Sequence, residues 1–324
     1  MTRAMHMNPA PAGRSWWRDR RARPLVAVGM ALVASGIAHV GVWGVVGGPW
    51  EGPVTWRKPI LFGISGGLTC LSLGWAFCRL ACRRGDGPLA WATALALFVE
   101  VALIDLQCWR GVASHFNRAT PLDSVLYDVM GWLILGVTLV CLDLTARFFL
   151  RPPPDMPADM LLAARVGFVL LAVSCLLGIW ASVHGDARVQ AGRAPESFGA
   201  AGVVKFPHGA VIHAVQWLPA LAWAARRAGI AARGRLWLVA AASVGSGLLL
   251  VYALAQTLLG RPRFAAPAPL MAVGLAAIAL LAVPAAIIAA AWLRSRVDPR
   301  GARGLTAPAP STPAGRPGAR RAGP

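Results

Sequence analysis

The stretch from Val203 to Pro219, VVKFPHGAVIHAVQWLP, places two histidines, a lysine and a glutamine in an otherwise apolar segment. His213 and Gln216 are three residues apart and share a helix face, whereas His208 lies about 140° around the helix, near its expected start. Polar groups within a bilayer-length apolar helix are costly unless they have partners. We therefore expect this helix to face a bundle interior or a cavity.

The composition predicts an all-α polytopic membrane protein. Of the 324 residues, 57% are hydrophobic and only 14% are charged, which is less charge than a soluble core of this size carries. The net charge of +19 does not indicate a nucleic-acid partner, because the arginines lie between apolar segments, as topology signals do. The abundance of Arg, Ala, Gly and Pro is typical of GC-rich bacterial genomes. The expected environment is a bacterial inner membrane.

Eight segments reach the length of about 20 residues that a bilayer crossing requires, and we predict eight transmembrane helices. They are Pro24 to Val46, Lys58 to Cys82, Pro88 to Trp109, Leu122 to Phe148, Asp159 to His184, Phe206 to Arg226, Arg235 to Gly260 and Ala268 to Leu293. Residues 1–23 form a basic N-terminal segment and residues 24–296 the transmembrane domain. The tail, 297–324, is rich in Pro, Gly, Ala and Arg and is predicted to be disordered.

The distribution of basic residues predicts the orientation. The N-terminus, the second, fourth and sixth connections and the C-terminus hold 23 of the 32 Lys and Arg residues, and the other connections hold nine. Because cytoplasmic segments carry the excess of positive charge, both termini are predicted to be cytoplasmic.

A faint internal repeat suggests two four-helix halves. Two sets of residues recur in the same order: Gln107, Gly111 and Pro121 match Gln256, Gly260 and Pro267, and Lys58 with Gly63 matches Lys205 with Gly209. Halves with an even number of helices would be related by an axis along the membrane normal.

The predicted topology places several polar residues at one depth. His39, Glu100 and His213 come about 10 to 14 Å below the outer surface at 1.5 Å per residue, and we expect them to converge on one cavity. Asp128 and Tyr252 come to similar depths, with Gln216 slightly deeper.

A second ring of polar residues lies above that layer, in the outer connections. Its members are Arg57, Lys58, Asp105, Gln107, Arg110, His115, Asn117, Asp123, His184, Asp186, Lys205, His208 and Arg261. The third connection, WRGVASHFNRATPLD, is unusually rich in polar residues for a short turn, which favours a functional role.

Imidazoles with a carboxylate favour a site for Zn, Fe or Cu, or a haem held between two histidines. The metal or haem candidates are His39, His208, His213 and His184. The catalytic candidates are Glu100, His115 and Asp105. The substrate-binding candidates are Arg57, Lys58, Gln107, Arg110, Asn117, Lys205, Gln216 and Tyr252, whose cations could hold propionates or another anionic group.

Two alternatives remain open beside a metal- or haem-dependent membrane enzyme. In a proton-coupled carrier, Glu100 and His213 would relay protons for a small molecule arriving from outside or from the membrane. In a scaffold, the polar layer would only fix helix packing. No HExxH, CxxCH, GxSxG, Walker or GxGxxG motif specifies a reaction. At the cytoplasmic side, Asp143 and Arg147 are expected to form a structural ion pair that Arg165 could join.

Overall fold

The computed structural model describes residues 16–297, with side chains described as far as Arg294. Most of the N-terminal segment and nearly all of the predicted tail lie outside these residues. Within these residues the regular structure is helical, apart from one short pair of strands. In order, the elements are α1 (Ala22–Val46), α2 (Arg57–Arg79), α3 (Asp86–Trp109), α4 (Pro121–Leu150), α5 (Ala158–Gln190), β1 (Ser197–Phe198), β2 (Gly202–Val203), α6 (Lys205–Val211), α7 (Ala214–Arg227), α8 (Ala232–Leu258) and α9 (Ala268–Val297).

Within the described residues, seven helices are long and apolar enough to cross a membrane, namely α1 to α5, α8 and α9. This agrees with the predicted all-α membrane architecture. We call the end of the bundle at which α1, α3, α5 and α8 begin the arginine-rich end. The opposite end is the histidine-bearing end.

The sixth predicted segment, Phe206 to Arg226, differs from the prediction because it is not one continuous helix. It is divided into α6 and α7, and the break lies at Ile212 and His213. The helix restarts at His213, whose carbonyl oxygen accepts hydrogen bonds from the backbone N–H groups of both Gln216 and Trp217, each at 3.1 Å. Neither Gly nor Pro occupies the break, so the usual sequence signal for an interruption is missing there.

Close packing of α1 on α2 depends on glycines at the contact. A Cβ atom at Gly67 would lie 2.6 Å from the carbonyl oxygen of Gly29, and one at Gly36 would lie 2.9 Å from that of Ile60. Small residues let two helix backbones approach closely in a membrane, where packing rather than hydrophobicity drives association. These glycines therefore fix the distance between the first two helices.

The connection after α5 is folded back onto the histidine-bearing end. The strands β1 and β2 pair antiparallel. Thr257 Oγ1, near the end of α8, donates a hydrogen bond to the carbonyl of Val203 at 3.1 Å, and the N–H of Ala201 donates to the carbonyl of Gly260 at 2.9 Å. These contacts fix the entrance of α6 beside the end of α8.

Ion pairs link the helices at the arginine-rich end. The expected pair of Arg147 with Asp143 is present at 3.6 Å, but the closer partner of Arg147 is buried Asp86, at 3.0 Å. Arg165 does not join this pair and instead donates to the carbonyl of Phe148 at 3.0 Å. A second buried carboxylate, Asp159, pairs with arginines of α7 and α8.

The helices α3 and α8 end in the same way at the positions of the suggested repeat. The N–H of Val112 donates to the carbonyl of Gln107 at 3.0 Å, and the N–H of Arg261 donates to that of Gln256 at 2.9 Å. In both helix ends, a glycine between donor and acceptor adopts positive φ, +72° at Gly111 and +64° at Gly260.

The helix contacts follow the same order in the two suggested halves. In the first, α1 packs on α2 and α3, and α3 packs on α4. In the second, α5 packs on α6, α7 and α8, and α8 packs on α9.

Candidate functional site

The break between α6 and α7 presents two histidines and an amide. His213 Nδ1 lies 3.2 Å from Gln216 Oε1 and donates to it, while Gln216 Nε2 is buried without a partner in the described chain. His208 Nδ1 donates to the carbonyl of Ser174 on α5 at 2.7 Å, and its ring lies over Gly178. The three-residue spacing thus brings His213 and Gln216 together as predicted. Among the described residues, no hydrogen bond engages the Nε2 atom of either histidine.

Glu100 on α3 is a buried ionisable side chain. It is 6% exposed, and it forms no hydrogen bond or ion pair with any residue between 16 and 294. Among the described residues, the one titratable group that interacts with it electrostatically is Cys175 on α5. A buried carboxyl group without partners is costly in a membrane, which argues against a role in packing alone.

Adjacent residues of α5 connect Glu100 with the helix break. Cys175 interacts electrostatically with Glu100, and the preceding residue, Ser174, contacts His208. His208 in turn interacts electrostatically with His213. We call the following residues the polar layer: Glu100, Ser174, Cys175, His208, His213 and Gln216. It draws on α3, α5, α6 and α7.

His39 lies in a different group from Glu100 and His213, which corrects the predicted convergence of the three. Its Nδ1 donates to the carbonyl of Ser35 at 2.9 Å, and its Nε2 accepts from the indole N–H of Trp109 at 3.1 Å. Through Ser35, whose hydroxyl donates to Asp105 at 3.2 Å, it faces Asp105 rather than Glu100.

The physical reason for this difference lies in the geometry of α3. Asp105 and Glu100 are five residues apart, which separates them by about 140° around the helix and about 7.5 Å along it. The α3 face that meets α1 therefore carries Asp105, and Glu100 lies on a different face of α3. In the described chain, no hydrogen bond or ring contact joins His39 to Glu100 or to His213.

A cavity of about 310 Å³ lies beside the His39 group at the histidine-bearing end. Thr55 and Cys108 contribute its polar groups, and Thr55 Oγ1 is buried without a hydrogen-bond partner in the described chain. One oxygen of nearby Asp105 is likewise unpaired. The cavity is lined by Gly48, Pro49, Val54, Thr55, Trp56, Cys108, Trp109 and Gly111.

The residues expected to bind a metal do not come together. Among the described residues, no group of three or more His, Cys, Asp or Glu side chains is placed to hold a metal ion. His184 Nε2 donates to the carbonyl of Ser197 at 3.0 Å, and both ring nitrogens of His39 are engaged. Of the four histidines, only His208 and His213 are neighbours.

The loop between α3 and α4 is held tightly around His115. The ring of His115 lies between Phe62 and Tyr127, and its Nδ1 is 3.0 Å from Ser114 Oγ. Desolvation by these neighbours, with a smaller effect of the Lys58 charge, lowers the pKa of His115 to about 3. The imidazole is therefore neutral at physiological pH.

The next residue, Phe116, adopts φ of +57°, which is rare for a bulky side chain. Its ring occupies the space beside Gly185 of α5, where a Cβ atom would lie 2.6 Å from Phe116 Cζ. Such strained positions persist only where the surroundings enforce them, and they occur frequently at functional sites.

Several predicted substrate-binding residues instead satisfy one another. Gln107 and Arg110 both donate to Asp123 Oδ1, at 2.9 and 2.8 Å. The Asn117 amide donates to the carbonyl of Ala113 within its own loop at 3.0 Å. These groups shape the connection and leave little capacity for a ligand.

Two members of the predicted inner layer are likewise engaged near the histidine-bearing end. The hydroxyl of Tyr252 donates to the carbonyl of Arg263 at 2.7 Å, and this side chain caps the connection after α8. The carboxylate of Asp128 is 53% exposed and pairs with Arg118 at 2.9 Å, so it does not face the bundle interior.

The predicted cations Lys58 and Lys205 lie close enough to interact, together with Arg57 and Glu196. Sequence reasoning did not identify Glu196, Ser174 or Cys175. The last two lie within an apolar run, and small polar residues there carry no distinguishing signal of their own.

No protein-family model, curated protein or solved structure matches this chain, so the geometry of the chain itself supports the function proposed below.

Proposed function

We propose that this protein is a multi-pass membrane carrier that moves a small molecule together with a proton, and that Glu100 binds the proton. The observation that carries the proposal is the burial of Glu100 without a hydrogen bond or ion pair in the described chain. In apolar surroundings, a carboxyl group of this kind exchanges a proton or a cationic partner rather than holding a fixed structural contact.

The broken helix supports this proposal. Non-helical backbone at membrane depth is tolerated where it is buried in protein or lines a cavity, and carriers commonly bind substrate at such breaks. Here the break lies beside His208, His213 and Gln216, and Gln216 Nε2 is an unused donor. We assign the substrate's polar contacts to this amide and to the free nitrogen of His213.

We further propose that α6 and α7 together form an eighth crossing. A continuous path from Lys205 to Arg227 at 1.5 Å per residue is about 34 Å long, which is enough to span a bilayer. An even number of crossings places both termini on the same side of the membrane, and the distribution of basic residues favours the cytoplasm. The histidine-bearing end then faces the extracytoplasmic side of a bacterial inner membrane.

The proposal is tested with the full chain reconstituted into liposomes that contain a pH-sensitive dye. Small carboxylates, phosphates and amines are added outside, one at a time. We expect at least one to change the internal pH in the wild type, and the change to be lost in Glu100→Gln, which keeps shape but cannot ionise. Asp128→Asn is the matched control, because Asp128 is an exposed carboxylate paired with Arg118. Equal proton movement in wild type and Glu100→Gln would contradict the proposal.

A metal- or haem-dependent enzyme is the second candidate. Its support is that His208 and His213 each direct Nδ1 to an oxygen, an arrangement that orients the Nε2 atom of metal-binding histidines. The absorption spectrum and metal content of the purified protein separate the candidates. A Soret band or a stoichiometric metal that is lost in His213→Ala favours the enzyme. If the wild type shows neither a Soret band nor a bound metal, the result favours the carrier or a scaffold.

A further inference from the structure

The cavity of about 310 Å³ at the histidine-bearing end takes no part in the proton movement proposed above. The connection between α1 and α2 forms one wall of this cavity, and the end of α3 forms the other. Four of its lining residues are exposed: Gly48, Pro49, Trp109 and Gly111. Thr55 is only 4% exposed and is the least exposed residue of the lining. The cavity is therefore accessible from the surface and extends inward to Thr55.

The hydroxyl group of Thr55 has no hydrogen-bond partner in the part of the chain that the structure describes. A threonine at the start of a helix commonly uses its hydroxyl to accept a backbone N–H, and here only the carbonyl oxygen of Thr55 is used. That oxygen accepts from the N–H of Lys58 at 3.2 Å and from the thiol of Cys108 at 3.5 Å. A buried hydroxyl without a partner is costly. A ligand in the adjoining cavity would supply the missing partner.

Two tryptophan rings of the cavity wall are held in fixed orientations. The rings of Trp56 and Trp109 meet edge to face, with their centroids 4.9 Å apart. The indole N–H of Trp109 donates to His39 Nε2 at 3.1 Å, and the ring of Trp56 stacks on that of His39 with the centroids 6.1 Å apart. Because these contacts order the rings in advance, a ligand does not have to immobilise them. Ordered aromatic side chains are suited to contact with another ring.

The charge and size of the cavity restrict the class of ligand. Among the described residues that line it, none is Asp, Glu, Lys, Arg or His. A charged ligand would lose water there without gaining a counter-charge from the wall, which disfavours ions. An apolar cavity of about 150 Å³ holds benzene. The volume of about 310 Å³ therefore has room for one ring with a substituent.

We propose that this cavity binds a neutral ring compound with one hydroxyl or carbonyl group, as in a phenol or a cyclic ketone. The ring packs against Trp56 and Trp109, and its polar group forms a hydrogen bond with the Thr55 hydroxyl. Tryptophans near helix ends also serve as simple interfacial anchors, but that role leaves the Thr55 hydroxyl without a partner. No lining residue belongs to the polar layer, so this site is independent of the proposed proton carrier.

Photolabelling of the full chain in phosphatidylcholine liposomes tests the site. The probe is para-azidophenol, and mass spectrometry identifies the labelled peptides. In the wild type we expect label on residues 48–56 and 108–111, which phenol reduces in a saturable way. Labelling that spreads over the lipid-exposed helices and is not reduced by phenol would overturn the proposal. Stronger competition by tetramethylammonium than by phenol would also overturn it, because it would indicate a site for cations.

The role of the Thr55 hydroxyl is tested with phenol and toluene as competitors. Thr55→Val keeps the shape of the side chain and removes the hydroxyl. We expect this substitution to weaken competition by phenol relative to toluene by a factor of about 2 to 10, as the loss of one hydrogen bond implies. Comparing the phenol-to-toluene ratio between variants cancels the different partition of the two compounds into lipid. An unchanged ratio in Thr55→Val would contradict the predicted hydrogen bond.

Matched variants separate the cavity from general effects on the fold. Thr93→Val is the control for Thr55, because the Thr93 hydroxyl is buried within α3 and donates to the carbonyl of Leu89 at 2.7 Å. Trp109→Ala should lower labelling of residues 48–56, whereas Trp132→Ala should not, since Trp132 is 73% exposed on α4. Glu100→Gln should label as the wild type does. Equal labelling in Trp109→Ala and Trp132→Ala would show that the tryptophan wall does not bind the ring.

Discussion

Glu100 is buried and His115 is half-buried, and their surroundings satisfy them differently. His115 has the Ser114 hydroxyl beside one ring nitrogen and aromatic rings around it, and its neutral form suits that setting. Glu100 has no donor or cation among the described residues. A neutral imidazole can serve as a permanent part of the loop, whereas a buried carboxyl group without partners is suited to the exchange of a proton.

Acidification should destabilise the protein through His115. Its pKa is about 3 in the fold against 6.5 for an ordinary histidine, so the unfolded chain binds the proton more readily. The stability contributed by the neutral ring is complete above pH 6.5 and is lost as the pH falls toward 3, by at most about 1.4 kcal/mol per pH unit. We expect the Tm in mild detergent to fall more steeply from pH 7 to pH 4 in the wild type than in His115→Gln. Parallel Tm curves would contradict this assignment.

At the scale of the elements, the contacts between helices rest on small residues and on buried ion pairs. The α1–α2 contact leaves no room for a side chain at Gly67. At the arginine-rich end, Arg147 joins α4 to the start of α3 through Asp86. These contacts hold the helices that carry the polar layer without belonging to it.

Adding a methyl group at the α1–α2 contact should separate the two helices. We expect Gly67→Ala to lower the free energy of unfolding by about 1 to 3 kcal/mol, because backbone atoms of Gly29 and Val33 lie where the Cβ atom must go. Gly136→Ala in α4 is the control, since its Cβ atom would meet nothing within 4 Å. Unfolding in mixed micelles measures both, and equal stability of the two variants would show that α1 and α2 can move apart at no cost.

Removing Arg147 should weaken the fold without affecting proton movement. Arg147→Met leaves buried Asp86 with more distant cations, Arg21 at 3.5 Å and Arg83 at 3.8 Å. Breaking one partner of a buried ion pair costs about 3 to 5 kcal/mol. The exposed Arg151 provides the control, and Arg151→Met should be neutral. Normal stability with lost proton movement in Arg147→Met would place this arginine in the transport machinery instead.

At the scale of the whole molecule, hydropathy predicted the existence and order of the long helices, because an apolar run of bilayer length has few structural alternatives to a transmembrane helix. The break at Ile212 and His213 could not be predicted, since neither Gly nor Pro marks it. Sequence spacing correctly brought His213 to Gln216. The predicted convergence of His39 with Glu100 and His213 rested on depth along the helices. Depth gives the level of a residue in the membrane, but not the direction in which its side chain points.

The proposed topology makes a further prediction for the whole chain. With eight crossings and cytoplasmic termini, reporter fusions near His115 and Gln190 should read extracytoplasmic, and those near Asp86 and Gly229 should read cytoplasmic. Asp86 and His115 lie at opposite ends of α3, and Gln190 ends α5. A cytoplasmic signal near His115 would invert the orientation and move the histidine-bearing end to the other face of the membrane.

Infrared difference spectroscopy of the full chain in lipid nanodiscs tests most directly whether Glu100 exchanges a proton. The carboxyl C=O band of a protonated glutamic acid is recorded over a pH titration in H₂O and D₂O, for the wild type, Glu100→Gln and the Asp128→Asn control. We predict a wild-type band that shifts in D₂O, changes in intensity with pH, disappears in Glu100→Gln and persists in Asp128→Asn. Identical spectra for the wild type and Glu100→Gln at every pH would contradict a proton-binding role for Glu100.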